Sequence, residues 1–483
     1  MHQQVERQAA ERPAWVAVRE YTGGQWRTTN WDRLREMVAG VAERAGRFGD
    51  GDAIVVLVLD NSAESIAMFL GLTMASVDVL CVEANSSHLG DDRSVLRRIG
   101  ASQVIGPDFP TVAGTTMAYS ELLGETSSFV ESLRVPDRDP AILALTSGST
   151  GEPRIVRQTL SSIERGGQIY RAVYRYTDDD KVLGPIPLAH SFGMMGLLAG
   201  ALAVGAEIMT MPRFSVSGVR SGISQGATVL LGTPMIYRIL SMAPQPAAGE
   251  VVRLRTLLSS GGPLASDTRL RAEGALGLPI RQIYGSTEAG LIACQYDRDT
   301  PWPLDSAGSL HSSVEWRVEP SDSSVDPCTG RFFIRTSTMF SGYVGGGEAA
   351  LGNDGMYDTG DLVHVDPGGD LTVLARKNTF VNVGGRKVAP GRVEAVLNEH
   401  PNVADAHVFG HEHGGEETVH AAVVLHDPHT DVADILAYCR RKLANYEVPY
   451  RVHVLRVLPR TTMGKVDHSA LARACAALPS WTG

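Results

Sequence analysis

The sequence predicts an α/β protein, because strand-like and helix-like segments alternate along most of its length. A buried strand is expected over 53–59 (AIVVLVL), followed by an amphipathic helix over 62–76 with Ser62 as its N-cap. Further apolar runs at 77–84 and 228–232 end in turn residues. Alternation of this kind is typical of parallel sheets that helices cover on both faces.

Two changes of texture divide the chain. From about 310 to 373, short alternating runs such as EWRVEP and RFFIRTS predict antiparallel strands joined by Gly and Pro turns. Beyond Arg376, helical and strand patterns mix in a small α+β unit. We therefore expect a boundary near 376–378, formed by a tight hinge, since no Ser- or Pro-rich linker occurs there.

Composition excludes several classes of function. The 483 residues carry a net charge of −10, and an acidic surface repels phosphate backbones, so we expect no nucleic-acid partner. The five cysteines form no C-x-x-C pair, which argues against a disulfide framework and favours the cytoplasm. No signal-like segment opens the chain, and the apolar stretch 193–206 is short for a bilayer, so no membrane association is expected. The segment HEHGGEE (411–417) lacks metal-ligand spacing and is interpreted as a solvated hairpin loop.

The strongest local signal is LTSGSTGEPR, residues 145–154, where an apolar strand runs into a loop of Thr, Ser and Gly. Small hydroxyls and permissive backbones let successive N–H groups converge on an anion, as in a phosphate-binding nest. Arg154 would add a fixed positive charge and a bidentate donor. The loop is not a Walker A sequence, and considered alone it is equally compatible with a surface turn.

Six further motifs follow in chain order: PLAHSFG (187–193), SSGGPL (259–264), YGSTEAG (284–290), YDTGDL (357–362), ARKNTFVNVGGRKVAP (375–390) and PRTTMGKVD (459–467). With them the chain resembles the adenylate-forming superfamily of acyl-CoA synthetases, nonribosomal-peptide adenylation domains and firefly luciferase over essentially its whole length. The resemblance implies a large N-terminal domain (1–376) of αβαβα layers with a small β-barrel-like subdomain. It also implies a hinge at 377–378 and a small, mobile α+β C-terminal domain (379–483).

The resemblance further implies an enzyme that uses ATP and Mg²⁺ to activate a carboxylic acid as acyl-AMP. The residues that it places around the β- and γ-phosphates are Thr146, Ser147, Gly148, Ser149, Thr150, Gly151 and Arg154. Glu288 resembles the Mg²⁺ ligand, Thr287 the α-phosphate contact, and Lys465 the lysine that reaches the carboxylate and the α-phosphate. The chain departs from the family in reading Pro-Arg-Ile at 153–155, where Pro-Lys-Gly is usual.

The nucleoside contacts are also implied by the resemblance. Tyr284 would stack on adenine, with Gly262 and Pro263 on its other face. Asp361 would accept hydrogen bonds from both ribose hydroxyls, and Arg376 resembles its partner at the ribose and phosphate. Taken singly, each has an ordinary structural explanation, such as a core aromatic or a turn aspartate.

The acyl pocket is expected to include His190, Phe192, Gly261 and Gly285. Amino-acid-activating members generally carry an Asp soon after the PLAHSFG position, and SFGMMGLLAGA has none. We therefore expect an aryl or alkyl acid without an α-amine. A satisfied buried histidine is an equal alternative for His190.

The acceptor of the acyl group stays open. Asn378 stands at the family's hinge position, and Gly384 and Gly385 would let a pantetheine arm pass close to the backbone. The two glycines favour a thiol acceptor, either CoA or the phosphopantetheine of a separate carrier protein, over a free amine that would give an amide. A non-catalytic relic or a luciferase-type oxygenase would share the motifs, but retention of Glu288 and Lys465 argues against a relic.

Overall fold

The structure is a computed structural model that describes residues 1–48, 54–84, 86, 89, 94–101, 103–108, 112, 114–124, 132–146, 154–242, 253–320, 326–345, 351–352, 354–376, 381–383, 386–388, 390–413, 416–461 and 464–476. The chain divides into two compact units. The first consists of Met1–Trp316, Ile334–Tyr357 and Gly369–Leu371, and the second of Arg317–Phe333, Asp358–Gly368 and Thr372–Gly483. The predicted hinge at 377–378 lies outside the described residues, so the predicted domain boundary stays a prediction.

The strands are β1 (Val16–Thr22), β2 (Gln25–Asn30), β3 (Ile54–Val58), β4 (Asp78–Val82), β5 (Gln103–Gly106), β6 (Met117–Ala118), β7 (Ala141–Thr146), β8 (Arg154–Thr159), β9 (Lys181–Gly184), β10 (Glu207–Thr210), β11 (Val229–Gly232), β12 (Thr256–Ser259), β13 (Ile280–Ser286), β14 (Gly290–Cys294), β15 (Ser306–Leu310), β16 (Glu315–Pro320), β17 (Thr329–Arg335), β18 (Gly342–Tyr343), β19 (Tyr357–Val365), β20 (Asp370–Arg376), β21 (Val381–Val383), β22 (Arg386–Val388), β23 (Val403–His413), β24 (Glu416–Leu425) and β25 (Arg451–Leu455).

The α-helices are α1 (His2–Glu11), α2 (Trp31–Ala45), α3 (Ala63–Met74), α4 (Ser94–Arg98), α5 (Tyr119–Leu123), α6 (Leu160–Tyr174), α7 (Gly200–Leu202), α8 (Val216–Ser224), α9 (Pro234–Met242), α10 (Ser266–Leu276), α11 (Pro390–Asn398), α12 (Val432–Lys442) and α13 (His468–Ala476). A 3₁₀ turn at Gly46–Phe48 and a π-helix at Phe192–Ala199 complete the helical segments of the described chain. None of the described helices is long and apolar enough to cross a bilayer.

Two sheets form the first unit. Its larger sheet has the strand order β15-β14-β13-β12-β11-β9-β10-β1-β2 and is parallel from β13 to β1. Its smaller sheet has the order β18-β8-β7-β4-β3-β5-β6, with β7, β4, β3, β5 and β6 parallel. Strands β8 and β18 run antiparallel to their neighbours at one edge. The α/β fold with parallel sheets is therefore confirmed.

The first predicted strand shows why the small sheet is covered on both faces. Val55 and Leu57 pack in one hydrophobic cluster and Val56 and Val58 in another, as the two-residue period of a strand requires. The Ser62 hydroxyl accepts a hydrogen bond from the Ser65 N–H at 3.1 Å, which confirms the predicted N-cap of α3.

The apolar stretch 193–206 is helical up to Leu202, and most of this helical part is a π-helix. Glycine is required at position 193 because a Cβ there would lie 2.2 Å from the Pro187 carbonyl oxygen. A Cβ on Gly167 would lie 2.5 Å from the Ala199 carbonyl carbon, so α6 approaches the π-helix closely. π-Helices occur frequently at functional sites.

The second unit contains most of β16, β17, β19 and β20, which are neighbours in this order, in the region where the texture change predicts strands. Its C-terminal part has the β21-β22 hairpin and a three-stranded sheet, β23-β24-β25, packed on α11 and α12 through residues such as Val393 and Ile435. The strands β23 and β24 continue into the His-rich segment, up to residues 413 and 416. Within the described residues, no three or more His, Cys, Asp or Glu side chains are arranged to hold a metal ion.

A buried histidine should make the stability of the first unit depend on pH. His2 donates its Nε2–H to the Leu70 carbonyl at 2.9 Å, and burial, followed by the N-terminal ammonium, lowers its pKa from 6.5 to about 4. The unfolded chain therefore binds the proton more tightly, and stability falls as pH drops from about 6.5 to about 4. The loss amounts to about 3 kcal/mol, the free energy of this pKa difference.

The test is the variant His2→Gln, whose amide can keep the donor to Leu70 but cannot titrate. In urea unfolding at pH 7 and pH 4, we expect the variant to lose about 3 kcal/mol less than wild type between the two pH values. The exposed His429→Gln serves as the control and should follow wild type. Equal pH dependence in wild type and His2→Gln would contradict the lowered pKa.

Candidate active site

Strand ends of the smaller sheet form one side of the candidate site. The parallel pair β4–β7 aligns Cys81 with Ala144, which places Glu83 level with Thr146. The antiparallel pair β7–β8 then aligns Thr146 with Arg154, and the Thr146 hydroxyl donates to the Arg154 carbonyl at 3.4 Å. The predicted phosphate loop therefore connects two paired strand ends. Its residues Ser147, Gly148, Ser149, Thr150 and Gly151 lie outside the described residues.

A tyrosine links Arg154 to Glu288. The Tyr343 hydroxyl donates to Glu288 Oε1 at 3.0 Å, and the Arg154 guanidinium lies 5.3 Å from the centre of the Tyr343 ring. Burial, and secondarily the charge of Glu288, raise the pKa of the Tyr343 phenol above its usual range, so it stays a donor at neutral pH. Sequence reasoning missed Tyr343, whose motif SGYVG carries no chemical signal of its own.

The turn that carries Glu288 is held by several hydrogen bonds. The Ala289 carbonyl accepts from the hydroxyls of Thr336 at 2.9 Å and Thr338 at 2.6 Å. The Glu288 carbonyl accepts from the Phe340 N–H at 2.7 Å, and the Glu288 residue is only 8% exposed. Thr287, on the same turn, is half-buried. The turn is thus fixed before any ligand binds.

The predicted adenine contacts lie at neighbouring strand ends of the larger sheet. The parallel pair β12–β13 aligns Ser259 with Gln282, which places Gly261 level with the half-buried Tyr284. Gly261 has φ +95°. A Cβ on Gly262 would meet nothing within 4 Å, so the space beside the exposed Gly262 and Pro263 is open.

Glycine at 285 has a structural cause. A Cβ there would lie 2.4 Å from the Gly290 carbonyl oxygen, across the β-bulge of the β13–β14 pair.

Phe192, another predicted acyl-pocket residue, is 5% exposed, and its ring centre lies 6.2 Å from that of Tyr170. Phe192 therefore belongs to the hydrophobic core of the first unit.

His190 is paired with a carboxylate that the sequence did not reveal. His190 Nε2 and Glu83 Oε1 lie 2.6 Å apart, with the side chains 33% and 18% exposed. A neutral imidazole that donates Nε2–H to Glu83 carries its lone pair on Nδ1. The pair lies at the strand end beside Thr146, where the phosphate loop begins.

Asn61 holds the PLAHSFG segment in place and was also missed. Its amide nitrogen donates to the carbonyls of Ile186 at 2.9 Å and Met211 at 3.1 Å, and its oxygen accepts from the Leu188 N–H at 2.8 Å. The residue is 6% exposed and has φ 66°, a conformation that Asn tolerates better than most residues. The positive φ of Asn61, which is unusual for a residue other than glycine, can be seen only in the structure.

The second unit carries the remaining predicted residues. Asp361, on β19, is 3% exposed, and Arg376 ends β20. Lys465 is exposed on a tight turn, in which the Thr461 N–H donates to the Lys465 carbonyl at 2.7 Å. Arg460 braces this turn through the Gly464 carbonyl and an ion pair with Asp405, at 2.7 and 2.6 Å. The predicted hinge residue Asn378 and the predicted tunnel residues Gly384 and Gly385 lie outside the described residues.

The residues of the first unit fit a magnesium nucleotide. Glu288 offers a carboxylate oxygen, the donor type that Mg²⁺ prefers, because Tyr343 engages only Oε1. Arg154 supplies positive charge at the end of the loop where phosphates are expected.

Family models and known proteins match most of the chain. The family model described as AMP-binding enzyme matches residues 5–344, and the one described as AMP-binding enzyme C-terminal domain matches 392–465. A probable CoA ligase of Humulus lupulus is 28% identical, with 91% of this chain and 90% of the relative covered. The 2-succinylbenzoate–CoA ligase of Bacillus subtilis is 30% identical, with 74% of each covered. A solved O-succinylbenzoate coenzyme A synthetase from Bacillus subtilis, in complex with ATP and magnesium ion, is 25% identical with TM-score 0.81, and the match covers 97% of this chain and 99% of that one.

Replacing Asn61 should destabilise the first unit. Asn61→Ala removes three hydrogen bonds, leaves buried backbone groups without them and places Ala at positive φ, so we expect a loss of about 3–5 kcal/mol in urea unfolding. Asn61→Gly lacks the same amide but tolerates the backbone, and should lose about 1 kcal/mol less. Wild-type stability of Asn61→Ala would show that the bonds to the PLAHSFG segment contribute little.

Proposed function

The chain belongs to the AMP-binding enzyme family, within the adenylate-forming superfamily, and from this premise we propose that it is an AMP-forming acid–thiol ligase. In the first half-reaction a carboxylate oxygen of the acid attacks the α-phosphorus of ATP, which gives acyl-AMP and releases pyrophosphate. In the second, a thiolate attacks the acyl carbon and AMP leaves. The names of the two CoA ligase relatives support CoA as the thiol; a carrier-protein pantetheine is the alternative thiol.

The observation that carries this proposal is the Arg154–Tyr343–Glu288 linkage beside the phosphate loop. Two anions, a carboxylate and a triphosphate, must approach each other in the first half-reaction. Catalysis therefore depends mainly on charge neutralisation and on in-line positioning. The first unit places the exposed Arg154 at one end of the predicted loop, and the Glu288 carboxylate, which would hold Mg²⁺, on the turn that Tyr343 links to it.

Each residue then has a role in the proposed reaction. Bound Mg²⁺ would neutralise phosphate charge, and Glu288 would hold it. Arg154 would bind the β- and γ-phosphates and Thr287 the α-phosphate, while Tyr284 would stack on adenine. Lys465 would supply positive charge to the carboxylate and the α-phosphate.

Other assignments outside the first unit are retained as part of the proposal. Asp361 and Arg376 would bind the ribose, Asn378 would be the hinge, and Gly384 with Gly385 would admit a pantetheine arm.

The acid would be aryl or alkyl, without an α-amine. The side chain of Glu83, an acidic residue beside His190, already bonds the imidazole, so it is a poor partner for a substrate ammonium.

ATP–pyrophosphate exchange with a panel of acids tests adenylation, and Lys465→Ala tests the lysine. We expect the variant to lose on the order of 10²–10³ of the exchange rate, the scale of one transition-state charge contact, without a change in stability. Lys442→Ala, an exposed lysine of the same unit that pairs with Glu399, is the matched control and should exchange as wild type. Near wild-type exchange by Lys465→Ala would reject its role, and absence of exchange with every acid would favour a non-catalytic relic.

A second candidate function is synthesis of an amide, and the His190–Glu83 pair favours it. A base oriented by a carboxylate is the arrangement that removes a proton from a nucleophile. An alkyl amine has a pKa near that of lysine, about 10.4, and needs this help more than a thiol with a pKa of about 8.5. The same acyl-AMP would then react with a free amine, and the proton would pass to His190 Nδ1.

His190→Gln separates the two acceptors. If the pair is the base for an amine, the variant keeps pyrophosphate exchange and loses about 10²-fold or more of amide formation from preformed acyl-AMP. Mass spectrometry of products with CoA and with amines is the measurement. His311→Gln, another partly buried histidine of the first unit, is the control and should change neither rate. Equal loss of exchange and amide formation would instead assign His190 to the acyl pocket.

A further inference from the structure

Tyr343 is anchored on both sides of the candidate site. Strand β18 pairs with β8, so that Tyr343 is aligned with Val156, and the Val344 N–H donates to the Ile155 carbonyl at 2.9 Å. Three residues earlier, the Phe340 N–H donates to the Glu288 carbonyl at 2.7 Å. The segment 340–344 therefore joins the strand that follows the phosphate loop to the turn that carries Glu288.

The hydroxyl of Tyr343 has a defined direction. The Tyr343 hydroxyl is the donor of this contact, and Glu288 Oε1 is its acceptor at 3.0 Å. An ionised carboxylate can only accept, so the polarity of the contact is fixed. The ring of Phe340, with its centre 5.0 Å from that of Tyr343, packs edge-on and keeps the phenol in place.

We propose that Tyr343 is a positioning residue that makes Glu288 a monodentate ligand and thereby favours Mg²⁺ over larger cations. With Oε1 held by the hydroxyl, Glu288 presents Oε2 to an ion. Mg²⁺ demands near-ideal octahedral geometry at short distances, whereas Ca²⁺ accepts bidentate carboxylates and more ligands. A carboxylate that cannot rotate into a bidentate pose therefore discriminates against Ca²⁺. This inference rests on the proposed role of Glu288 as a Mg²⁺ ligand.

The variant Tyr343→Phe removes the hydroxyl and keeps the ring contacts with Phe340 and Arg154. Binding is measured by Mn²⁺ electron paramagnetic resonance in the presence of a non-hydrolysable ATP analogue, with Mg²⁺ and Ca²⁺ as competitors. We expect the affinity for Mg²⁺ to fall about 10-fold, as for the loss of other outer-shell partners, and that for Ca²⁺ to fall less or to rise. The preference for Mg²⁺ over Ca²⁺ would then drop, which a merely structural role of Tyr343 would not cause.

Two further variants separate the possible failures. Tyr296→Phe, at a tyrosine packed on Trp302 in the first unit, is the matched control and should keep the wild-type preference. Glu288→Gln should abolish the analogue-dependent Mn²⁺ site. If it does and Tyr343→Phe keeps the wild-type ratio of Mg²⁺ to Ca²⁺ affinity, the inference is wrong and the proposed function stands. If Glu288→Gln binds Mn²⁺ as wild type does, the proposed metal role of Glu288 is itself rejected.

Discussion

The buried carboxylate of Asp78 fixes the register on which the candidate site depends. It opens β4, is 4% exposed, and accepts from the Ala141 N–H at 2.8 Å, from Arg138 at 2.6 Å and from Arg157 at 3.3 Å. These donors belong to β7, to the segment before it, and to β8. Burying a carboxylate without partners would cost several kcal/mol, so the alignment that satisfies Asp78 is strongly preferred. A slip of one residue would also turn every side chain to the opposite face, and the far ends of the three strands are therefore brought into line.

Hydrogen bonds to buried backbone groups fix the Glu288 turn in the same way. The bulge between β13 and β14 lets the backbone fold back on itself, at a place where only glycine fits at 285. The hydroxyls of Thr336 and Thr338 both donate to the Ala289 carbonyl, which lies in the turn between β13 and β14, outside the strand pairing. The carboxylate that results is oriented in advance, and a charged ligand that binds there need not reorganise the protein.

Local pattern predicted the buried strand β3 and the Ser62 cap of α3, because each depends on neighbours in sequence. Glu83, Asn61 and Tyr343 could not be predicted, since their partners His190, Leu188 and Glu288 lie far away along the chain and follow no period. Hydrophobicity likewise predicted a helix within 193–206. It did not predict that the helix begins as a π-helix, which packs closely against α6. The grouping of 317–333 and 358–368 with the second unit follows from long-range strand pairing, such as the bond from the Val365 N–H to the Cys328 carbonyl.

The strand order of the smaller sheet also sets apart the two polar groups of the candidate site, Arg154–Tyr343–Glu288 and His190–Glu83. Four neighbouring strands of this sheet lie in the order β18-β8-β7-β4. Tyr343 lies on the first and Glu83 directly follows the last, and Arg154 and Thr146 lie on the two strands between them. Three strand spacings put the backbones of β18 and β4 roughly 14 Å apart, so the two polar groups are anchored on well-separated strands. In the proposed reaction, the Arg154–Tyr343–Glu288 side would bind the phosphates and the His190–Glu83 side would face the acyl group. The α-phosphorus would then lie between the two, where the attacking carboxylate and the leaving pyrophosphate can be placed in line.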